Sequence, residues 1–436
     1  MELPTLETIV SLAKRRGFIF PGSEIYGGLA GTWDFGPLGV ALKNNIKESW
    51  RKKFVLGRDD MYEIDAAILM NSKVWEASGH VAGFSDPMVE CKKCKSRFRE
   101  DQLDSNECPT CGTKEAFAEA RQFNMMFKTQ AGAVEDSSAT VYLRPETAQG
   151  MFVNFKNIID TFHPKLPFGM AQIGKAFRNE ITPRDFVFRS REFEQMEIEY
   201  FIQETHWEKY FTYWKDEMVE WMQTIGLAMD RVHEITKGAD ELAHYSKSST
   251  DFEFDFPFGQ KELFGISYRT DFDLKQHMQH STVSLEYSEE GEQKFVPHVI
   301  EPTFGVERAV LAVLVSAYCE EELDNGEKRV YLKLPPKIAP VKICVSPLLK
   351  NKPELVEKAK LIHGSLKEVF GAVAWDDNGN IGKRYRRQDE IGTPFCVTID
   401  FDTLTDESVT VRNRDTGSQE RIALAELHTW FTEKLQ

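Results

Sequence analysis

The chain has 436 residues, of which 41% are hydrophobic and 12% aromatic, and its 54 Lys and Arg against 69 Asp and Glu give a net charge of −15. This composition excludes a disordered, collagen-like or simple repetitive protein, and the length predicts two to four domains with a large core. The acidic total argues against non-specific adhesion to DNA or anionic membranes. It does not exclude nucleic acid, because binding needs only a local basic face.

The hydropathy of the chain bears on its compartment. The longest apolar run, Ala309 to Cys319, has 11 residues and predicts a buried helix, because a membrane span needs about 18 or more. The N-terminal segment ends in Lys14-Arg15-Arg16, the reverse of a secretory signal, which begins with basic residues and continues with apolar ones. We therefore expect a cytoplasmic protein with no membrane partner.

Two amphipathic helices are predicted near the N-terminus. The first ends at Gly17, since glycine most easily adopts the left-handed conformation of a helix C-terminus; its buried face holds Leu6, Ile9, Val10 and Ala13. A glycine-rich stretch follows and ends in Phe35-Gly36-Pro37-Leu38-Gly39. Helical spacing then predicts a longer helix that buries Val40, Ile46, Trp50 and Phe54.

Four of the seven cysteines form two C-x-x-C motifs separated by 13 residues. Each motif suits two thiolates of a tetrahedral Zn2+ ion, and four cysteine ligands leave no open position for catalysis. A structural zinc site is therefore predicted at Cys91, Cys94, Cys108 and Cys111. A pair of disulfides is the alternative, although a cytosolic chain keeps its thiols reduced. The other three are predicted to be core residues: Cys319, Cys344 and Cys396.

Two antiparallel strands are predicted between about residues 170 and 201, joined by the loop Ile181 to Arg189. Because side chains alternate along a strand, Arg178 and Glu180 share a face. The return strand places two sets on opposite faces: Arg191, Phe193 and Glu197, and Met196, Ile198 and Tyr200. Arginines for phosphates, a ring for a base and carboxylates for amino groups or Mg2+ suit an anionic nucleotide. A salt-bridged solvent face is the alternative for this hairpin alone.

The remaining elements follow in order. Aromatic spacing predicts a core-facing helix from Trp207 to Trp221. The segment Glu301-Pro302-Thr303-Phe304-Gly305-Val306-Glu307-Arg308 predicts a strand ending near Glu301, a turn, and a helix with Arg308 in its first turn. Prolines at 335–340 predict a linker, after which the charge changes: residues 341–436 carry 14 Lys and Arg against 15 Asp and Glu. This tail reads as an α/β unit, with strands at 341–345, 395–399 and 409–411, a helix at 354–370 and a final helix from about residue 423.

Three of these segments together resemble the class II aminoacyl-tRNA synthetases. The helix after Gly36-Pro37 resembles motif 1, the hairpin resembles motif 2, and the strand-turn-helix resembles motif 3. Longer strings are similar to glycyl-tRNA synthetases of the single-chain, homodimeric type: Trp75 to His80, Arg144 to Gly150, Phe188 to Gln195, Arg269 to Leu274 and Gly382 to Glu390. The resemblance covers nearly the whole chain.

The resemblance implies an α+β fold. A class II catalytic domain, an antiparallel β-sheet flanked by helices, is expected at 1–335, with motif 1 at about 35–55, motif 2 at about 170–201 and motif 3 at about 299–317. A zinc-ribbon-like insertion is expected at 88–114. A linker at 336–340 would lead to a C-terminal α/β anticodon-binding domain at 341–436.

The implied activity is ATP-dependent, Mg2+-assisted activation of glycine to glycyl-adenylate with release of pyrophosphate, then transfer of glycine to the 3′ terminal ribose of glycine tRNA. The implied partners are glycine, ATP, glycine tRNA and a second copy of the chain, and no DNA is expected. By similarity, Arg178, Glu180 and Arg308 are catalytic, with Arg178 at the α-phosphate. Phe193 and Arg308 would sandwich the adenine. The implied ATP-binding set is Arg178, Asn179, Glu180, Phe188, Arg191, Phe193, Glu262, Leu263, Gly305 and Arg308, with Glu262 and Leu263 also near Mg2+.

Glycine offers only an ammonium group, a carboxylate and the absence of a side chain for recognition. The resemblance implies that it is bound by Arg99, Glu146, Glu197, Arg269, Glu301 and Thr303. The family usually has serine where this chain has Thr303, so an extra methyl stands beside the smallest amino acid. Overpacking costs about 1–3 kcal/mol, so we expect alanine to be rejected without an editing domain.

The tail contains a basic group that suits single-stranded bases. It comprises Lys383, Arg384, Arg386 and Arg387 around Tyr385, together with Arg412 and Arg414. A solvated charged face is the alternative.

Two other identities are weighed. A non-catalytic relative, such as the accessory subunit of the mitochondrial DNA polymerase, would be expected to lose the motif arginines and the acidic pocket, which this chain keeps. Seryl-, threonyl- or prolyl-specific synthetases share the three motifs, but the glycine-type strings and the lack of an editing insert argue against them.

Overall fold

The computed structural model describes residues 3–133, 139–289, 293–323 and 326–435. The helices are α1 Leu6–Arg16, α2 Pro37–Arg51, α3 Ser72–Ala77, α4 His80–Gly83, α5 Ala148–Phe162, α6 Trp207–Thr224, α7 Phe272–Ser281, α8 Val306–Ala317, α9 Pro353–Phe370, α10 Ile381–Ile391, α11 Thr403–Asp406 and α12 Leu427–Lys434. The strands are β1 Ile19–Pro21, β2 Trp33–Phe35, β3 Met61–Glu63, β4 Ser85–Glu90, β5 Arg97–Arg99, β6 Arg121–Asn124, β7 Lys128–Gln130, β8 Thr140–Tyr142, β9 Phe168–Phe177, β10 Glu192–Ile202, β11 Val232–Thr236, β12 Ser248–Phe256, β13 Gly259–Thr270, β14 His298–Gly305, β15 Tyr318–Glu322, β16 Lys328–Leu332, β17 Ile343–Pro347, β18 Val373–Trp375, β19 Phe395–Ile399, β20 Ser408–Asn413 and β21 Gln419–Ala423.

A seven-stranded sheet forms the centre of the molecule, in the order β11-β12-β13-β14-β10-β9-β3. The pairs from β11 to β9 are antiparallel, and β3 lies parallel to β9 at the edge. In the middle of the sheet, Glu197 of β10 lies opposite Gln172 of β9 on one side and opposite Thr303 of β14 on the other. The predicted class II antiparallel sheet is therefore confirmed.

Helices cover both faces of this sheet. On one face, α2, α6 and α8 pack through an aromatic core that includes Trp50, Phe54, Trp214, Trp221 and Phe304. On the other face, α5 and α7 pack through a second core that includes Phe152, Phe155, Phe168, Phe201 and Leu274. Because side chains alternate along β10, Met196, Ile198 and Tyr200 enter the first core, as predicted. Glu197 and Glu199 consequently face the side of α5 and α7.

Local signals explain where the N-terminal helices begin and end. The Thr5 hydroxyl accepts a hydrogen bond from the Thr8 amide at 3.1 Å, and Gly17 ends α1 with a φ of +75°. Pro37 opens α2, where its missing N–H is not needed. At Gly39 a Cβ would lie 1.9 Å from the Phe18 carbonyl oxygen, so only glycine lets α2 pack this closely on the chain before β1.

The C-terminal sheet has the order β18-β17-β19-β20-β21, parallel from β18 to β19 and antiparallel beyond it. The predicted α/β character of the tail is confirmed.

Three predictions about elements are wrong. Val40 is exposed and Leu42 is buried in its place, because the buried face of α2 runs through Leu42, Ile46 and Trp50. Residues 419–423 form the edge strand β21, so the last helix begins at Leu427. Glu301 lies in the middle of β14 rather than near its end.

Within the described residues, no helix is both long and apolar enough to cross a lipid bilayer. The three scattered cysteines are buried, as predicted: Cys319, Cys344 and Cys396.

Candidate functional site

An open cleft lies above the central sheet, between the loop that joins β9 to β10 and the start of α8. Its empty space, including the part open to solvent, is about 780 Å³. Nine of the sequence-predicted residues line it: Arg178, Glu180, Phe188, Phe193, Glu262, Leu263, Thr303, Gly305 and Arg308. Residues from three strands and two connections therefore converge here because β10, β13 and β14 are adjacent.

Arg178 carries an unneutralised charge in this cleft. Its Nε donates to the Pro145 carbonyl oxygen at 3.1 Å. Its guanidinium lies near the rings of Phe84 and Phe193, at 5.4 and 5.3 Å from their centroids. Among the described residues, no carboxylate lies within ion-pair distance of Arg178. The guanidinium is thus held in place by neutral groups, with its charge available to an anion.

Arg308 occupies the first turn of α8, as predicted. It donates to the Glu262 carbonyl oxygen at 3.0 Å and lies 3.4 Å from the Glu262 carboxylate. Its guanidinium stands 4.4 Å from the centroid of the Phe188 ring. The positive charge of Arg308 lowers the pKa of Glu262, which keeps this carboxylate ionised at the cleft.

The loop between β9 and β10 holds the remaining nucleotide candidates. Arg189 Nε lies 3.1 Å from a carboxylate oxygen of the buried Glu180. Arg191 donates to the carbonyl oxygens of Ala30 at 2.8 Å and Glu180 at 3.2 Å. The cleft wall formed by the described residues includes neither Asn179 nor Arg191. Arg191 thus braces the loop against the glycine-rich segment before β2.

A cluster of five carboxylates lies beside the cleft, on the face of the sheet that carries α5 and α7; four are buried, and Glu146 is partly exposed. It contains the three predicted acidic residues together with two that were not predicted: Glu146, Glu197 and Glu301, and Glu199 and Asp273. The Thr303 hydroxyl connects cleft and cluster, because Thr303 lines the cleft and donates to Glu197 at 3.0 Å.

Arg269 is the cation of this cluster and is only 2% exposed. It donates twice to Asp273, at 2.8 Å each, and once to Glu301 at 2.7 Å. Burial opposes its charge, but the carboxylates of Asp273 and Glu301 hold the pKa of Arg269 well above its ordinary value. All of its nitrogens are thereby committed to carboxylates, so Arg269 fixes the position of Glu301.

Glu146 has a different set of partners. It accepts a hydrogen bond from Gln149 at 3.0 Å, and His80 Nε2 lies 3.3 Å from its other oxygen. Burial alone would favour the neutral acid, but the His80 imidazole outweighs it and leaves the pKa of Glu146 below its ordinary value. By contrast, burial and the charge of Glu146 raise the pKa of Glu197.

Arg99 lies apart from the carboxylate cluster. Its guanidinium is 2.6 Å from Asp86 and 2.7 Å from Asp101, on the three-stranded sheet β5-β4-β6. Burial, together with the charge of Arg99, lowers the pKa of Arg189 in the loop between β9 and β10. Within the described residues, the ion-pair partners of Arg99 lie on β4 and in the turn after β5, and not in the predicted glycine site.

Several residues of the site were not singled out from the sequence. Gln195 lines the cleft, and Glu199 lies in the cluster. Both follow from the alternation that identified Phe193 and Glu197, which could have found them. His80 belongs to a string that the resemblance flagged, but nothing in the sequence indicated that it would meet Glu146.

The four clustered cysteines form two equivalent turns. The Lys95 amide donates to the Cys91 carbonyl oxygen at 3.0 Å, and the Gly112 amide donates to that of Cys108 at 2.8 Å. All four sulfur atoms lie within 4.8 Å of one another, with Cys91 and Cys111 at 3.8 Å and Cys94 and Cys108 at 3.6 Å. Four thiolates about 2.3 Å from a tetrahedral Zn2+ would lie about 3.8 Å apart, so the donor set fits such an ion.

The basic group in the tail divides into buried and accessible side chains: Lys383 is exposed, and Arg386 and Arg387 are half-buried. Three of its arginines are buried: Arg384, Arg412 and Arg414. Arg412 donates to both carboxylate oxygens of Asp389, at 2.8 and 3.1 Å. Arg384 and Arg414 donate to backbone carbonyl oxygens. These three guanidinium groups bind within the protein, so the prediction of base contact now rests on the accessible members of the group, Lys383, Arg386 and Arg387.

Comparison with known proteins accords with this geometry. Residues 127–318 match the tRNA synthetase class II core domain (G, H, P, S and T), and residues 342–434 match the anticodon binding domain. The chain is 52% identical to the glycine–tRNA ligase of Alkaliphilus oremlandii (strain OhILAs) and 50% identical to that of Clostridium acetobutylicum. It is 52% identical to the glycine–tRNA ligase of Caldanaerobacter subterraneus subsp. tengcongensis.

Each of these alignments covers 99% of this chain and 99% of the relative. The alignments therefore span the segments that form the cleft, the carboxylate cluster and the tail. The chain therefore belongs to the glycine–tRNA ligases, enzymes with a class II aminoacyl-tRNA synthetase core.

Proposed function

We propose that the cleft holds ATP, that the adjoining carboxylate cluster holds glycine, and that the two react to form glycyl-adenylate. The observation that carries this proposal is the position of Thr303. It lines the cleft and also donates to Glu197, so a ligand in the cluster would lie next to a nucleotide in the cleft. Proximity of this kind supplies much of the rate when both reactants are already reactive.

In this proposal, Arg178 neutralises the α-phosphate. A glycine carboxylate oxygen attacks the α-phosphorus, the bond to the bridging oxygen of the β-phosphate breaks, and pyrophosphate leaves with its electron pair. Charge on the phosphoryl oxygens is stabilised by a guanidinium that is already in place. Phe193 and Arg308 flank the adenine, and Glu180 contacts the nucleotide from the loop. Glu262 would be the protein ligand for Mg2+, since a partly exposed carboxylate at the cleft supplies the oxygen donor that this ion prefers.

The carboxylates of Glu146, Glu197 and Glu301 receive the glycine ammonium. Arg269 acts by orienting Glu301, and Arg99 acts through the nucleotide loop rather than on glycine directly. The second step transfers the glycyl group to the terminal ribose of glycine tRNA: a ribose hydroxyl attacks the carbonyl carbon and AMP leaves. The tail then binds the anticodon of the same tRNA.

Glycine-dependent pyrophosphate exchange into ATP tests the proposal. We expect exchange with glycine and background rates with serine, alanine and proline. Exchange supported equally by serine or proline would refute the assignment of the pocket to glycine.

Replacing Thr303 with serine is expected to retain glycine activation and to relax the rejection of alanine. The lost methyl group lies beside the substrate, and one methylene of overpacking amounts to about 1–3 kcal/mol. The ratio of kcat/KM for glycine to that for alanine should therefore fall about tenfold or more. The hydroxyl bond to Glu197 is kept, which protects glycine binding. An unchanged ratio in pyrophosphate exchange would contradict the prediction.

We further propose that the four clustered cysteines hold a structural Zn2+ ion. Hydrogen bonds from Ser96 lower the pKa of Cys94 to about 6, whereas burial raises the pKa of Cys108 to about 11. Because the pKa values of these thiols differ, all four become thiolates together only when a bound cation compensates their charge. The ribbon also meets the nucleotide loop, since the Thr182 hydroxyl donates to the Arg97 carbonyl oxygen at 3.3 Å.

Replacing Cys91 with serine is expected to abolish stoichiometric zinc in the purified protein and to increase proteolysis within residues 88–114. Elemental analysis and limited proteolysis measure the two effects. Cys344→Ala is the matched control, because it changes a buried cysteine in the tail and should leave the zinc content unchanged. Equal zinc content in Cys91→Ser and the parent protein would contradict the proposal.

The remaining proposals concern organisation. We propose a catalytic domain at 1–335 with its insertion at 88–114, a linker at 336–340 and an anticodon-binding domain at 341–436. A homodimer is proposed because Ile25 and Tyr26 are 89% and 87% exposed in the segment before α2; light scattering after size exclusion tests it. The proposed compartment is the cytoplasm, where thiols remain reduced.

A further inference from the structure

Glu199 differs from every other carboxylate of the cluster. Its side chain is fully buried, and among the described residues neither of its oxygens has a hydrogen-bond donor. The other members are all held by donors. Glu197 accepts from Thr147 and Thr303, Glu301 and Asp273 accept from Arg269, and Glu146 accepts from Gln149.

The register of the sheet places Glu199 directly across from Glu301. Glu197 pairs with Thr303 and Tyr200 pairs with Ile300 in the antiparallel ladder between β10 and β14, so position 199 faces position 301. Directly opposite residues have Cβ atoms about 4.5–5.5 Å apart, which brings their carboxyl groups within reach of one hydrogen bond. On the other side, Glu199 lies opposite Met170, whose side chain offers no donor.

The charges around Glu199 do not support a second ionised carboxylate. Among the strongest charge effects of the described residues, those of Glu301 on β14, Glu197 on the same strand and Asp273 on α7 disfavour its ionisation, whereas that of Arg269 on β13 favours it. Burial, the largest effect, raises the pKa of Glu199 well above its ordinary value. Burial also raises the pKa of Glu301 well above its ordinary value. Arg269 donates to Glu301 at 2.7 Å, whereas no described residue donates to Glu199, so Glu301 is the member of the facing pair that keeps the negative charge.

We propose that Glu199 is a positioning residue that keeps its proton at neutral pH and donates its O–H to Glu301. Arg269 and Glu199 then hold the Glu301 carboxylate from two sides, which leaves it charged and oriented for the glycine ammonium. This inference rests on the proposed glycine site. In this arrangement the protonated carboxyl group of the pocket belongs to Glu199, which does not touch the substrate.

The isosteric variant Glu199→Gln tests the role. An amide also donates a hydrogen bond, so kcat and the KM for glycine in pyrophosphate exchange should stay within about threefold of the parent enzyme at pH 7. The matched control Glu197→Gln neutralises a carboxylate placed against glycine and should raise the KM for glycine about tenfold or more. Glu199→Met, which fills the space without a donor, should also raise this KM, because Glu301 loses one of its two donors. An equal rise in Glu199→Gln and Glu197→Gln would overturn the proposal.

Two further measurements do not depend on activity. Infrared spectroscopy at neutral pH should show a protonated carboxyl band in the parent protein that is absent from Glu199→Gln. A group whose pKa is raised on folding contributes stability that is lost as pH rises above its unfolded value. Glu199→Gln should therefore gain thermal stability relative to the parent as pH increases from 5 to 9. Absence of the band, or a pH-independent difference in stability, would overturn the assignment.

These outcomes separate this inference from the proposed function. If the parent enzyme shows no glycine-dependent exchange, the site itself is wrong. If exchange is present but Glu199→Gln behaves like Glu197→Gln, only the role of Glu199 is wrong.

Discussion

Replacing Arg178 with alanine is expected to lower the rate of glycine-dependent pyrophosphate exchange about 10²–10³-fold, which is the usual effect of removing one preorganised donor to developing charge. Arg178 is fixed by the Pro145 carbonyl oxygen and by two aromatic rings, and no described carboxylate neutralises it. The loss should appear mainly in kcat, because the charge it stabilises grows as the α-phosphorus is attacked.

Arg184→Ala is the matched control for this prediction. Arg184 lies in the same loop, is exposed and pairs only with Asp185 at 3.4 Å among its ion-pair partners in the described chain. Its replacement should leave the exchange rate within about twofold. A loss in Arg178→Ala no larger than that in Arg184→Ala would show that Arg178 does not act on the reacting phosphate.

Replacing Asp389 with alanine is expected to reduce the free energy of unfolding by about 3–5 kcal/mol. Among the described residues, buried Arg412 would lose its carboxylate partner and buried Arg329 would keep only Glu321 of its two. Asp389 on α10 accepts from Arg412 on β20 and from Arg329 on β16, the latter at 2.8 Å. It therefore joins the C-terminal domain to the hairpin β15-β16 that follows the catalytic core. Urea unfolding followed by tryptophan fluorescence measures the change.

Asp160→Ala is the control for this second prediction. Asp160 pairs with Lys156 at 2.9 Å on the exposed side of α5, and a surface pair of this kind contributes at most about 1 kcal/mol. Equal destabilisation by the two substitutions would contradict the structural role of Asp389. Removal of residues 341–436 would also take Asp389 away from Arg329, whose remaining ion-pair partner among the described residues is Glu321.

The tail arginines illustrate how far a charge pattern can be interpreted. From the sequence, alternating arginines around Tyr385 suggest either RNA contact or a solvated face. In the structure, Asp389 lies between Arg329 and Arg412, and residue spacing alone does not reveal such a partner 60 positions away. A buried arginine and a nucleic-acid-binding arginine therefore look alike until their carboxylate and carbonyl partners are known.

The nucleotide candidates come from two sources: strand alternation points to Arg178, Glu180, Arg191 and Phe193, and the family resemblance implies the others. Two patterns lie within short continuous segments of the sequence: the strand alternation through Phe193 and Glu197, and the strand-turn-helix around Arg308. The same alternation continues to Glu199, but a strand pattern does not say which glutamate will find donors. The roles of the nucleotide candidates in binding are predictions, which substitutions such as Arg178→Ala test.

Spacing within a few residues determined the two C-x-x-C motifs and the alternation of the strand that lines the cleft, and composition determined the change of character at the tail. The sequence indicated the class of fold through its resemblance to the class II synthetases. Only the tertiary structure decided how charge is distributed. It pairs Arg269 with Asp273 and Glu301, brings His80 to Glu146, leaves Arg178 without a described counter-charge and places Glu199 across from Glu301. The reason is physical: whether a buried charged group is neutralised depends on donors and carboxylates from other strands and helices, which come together only when the sheet and its helices assemble.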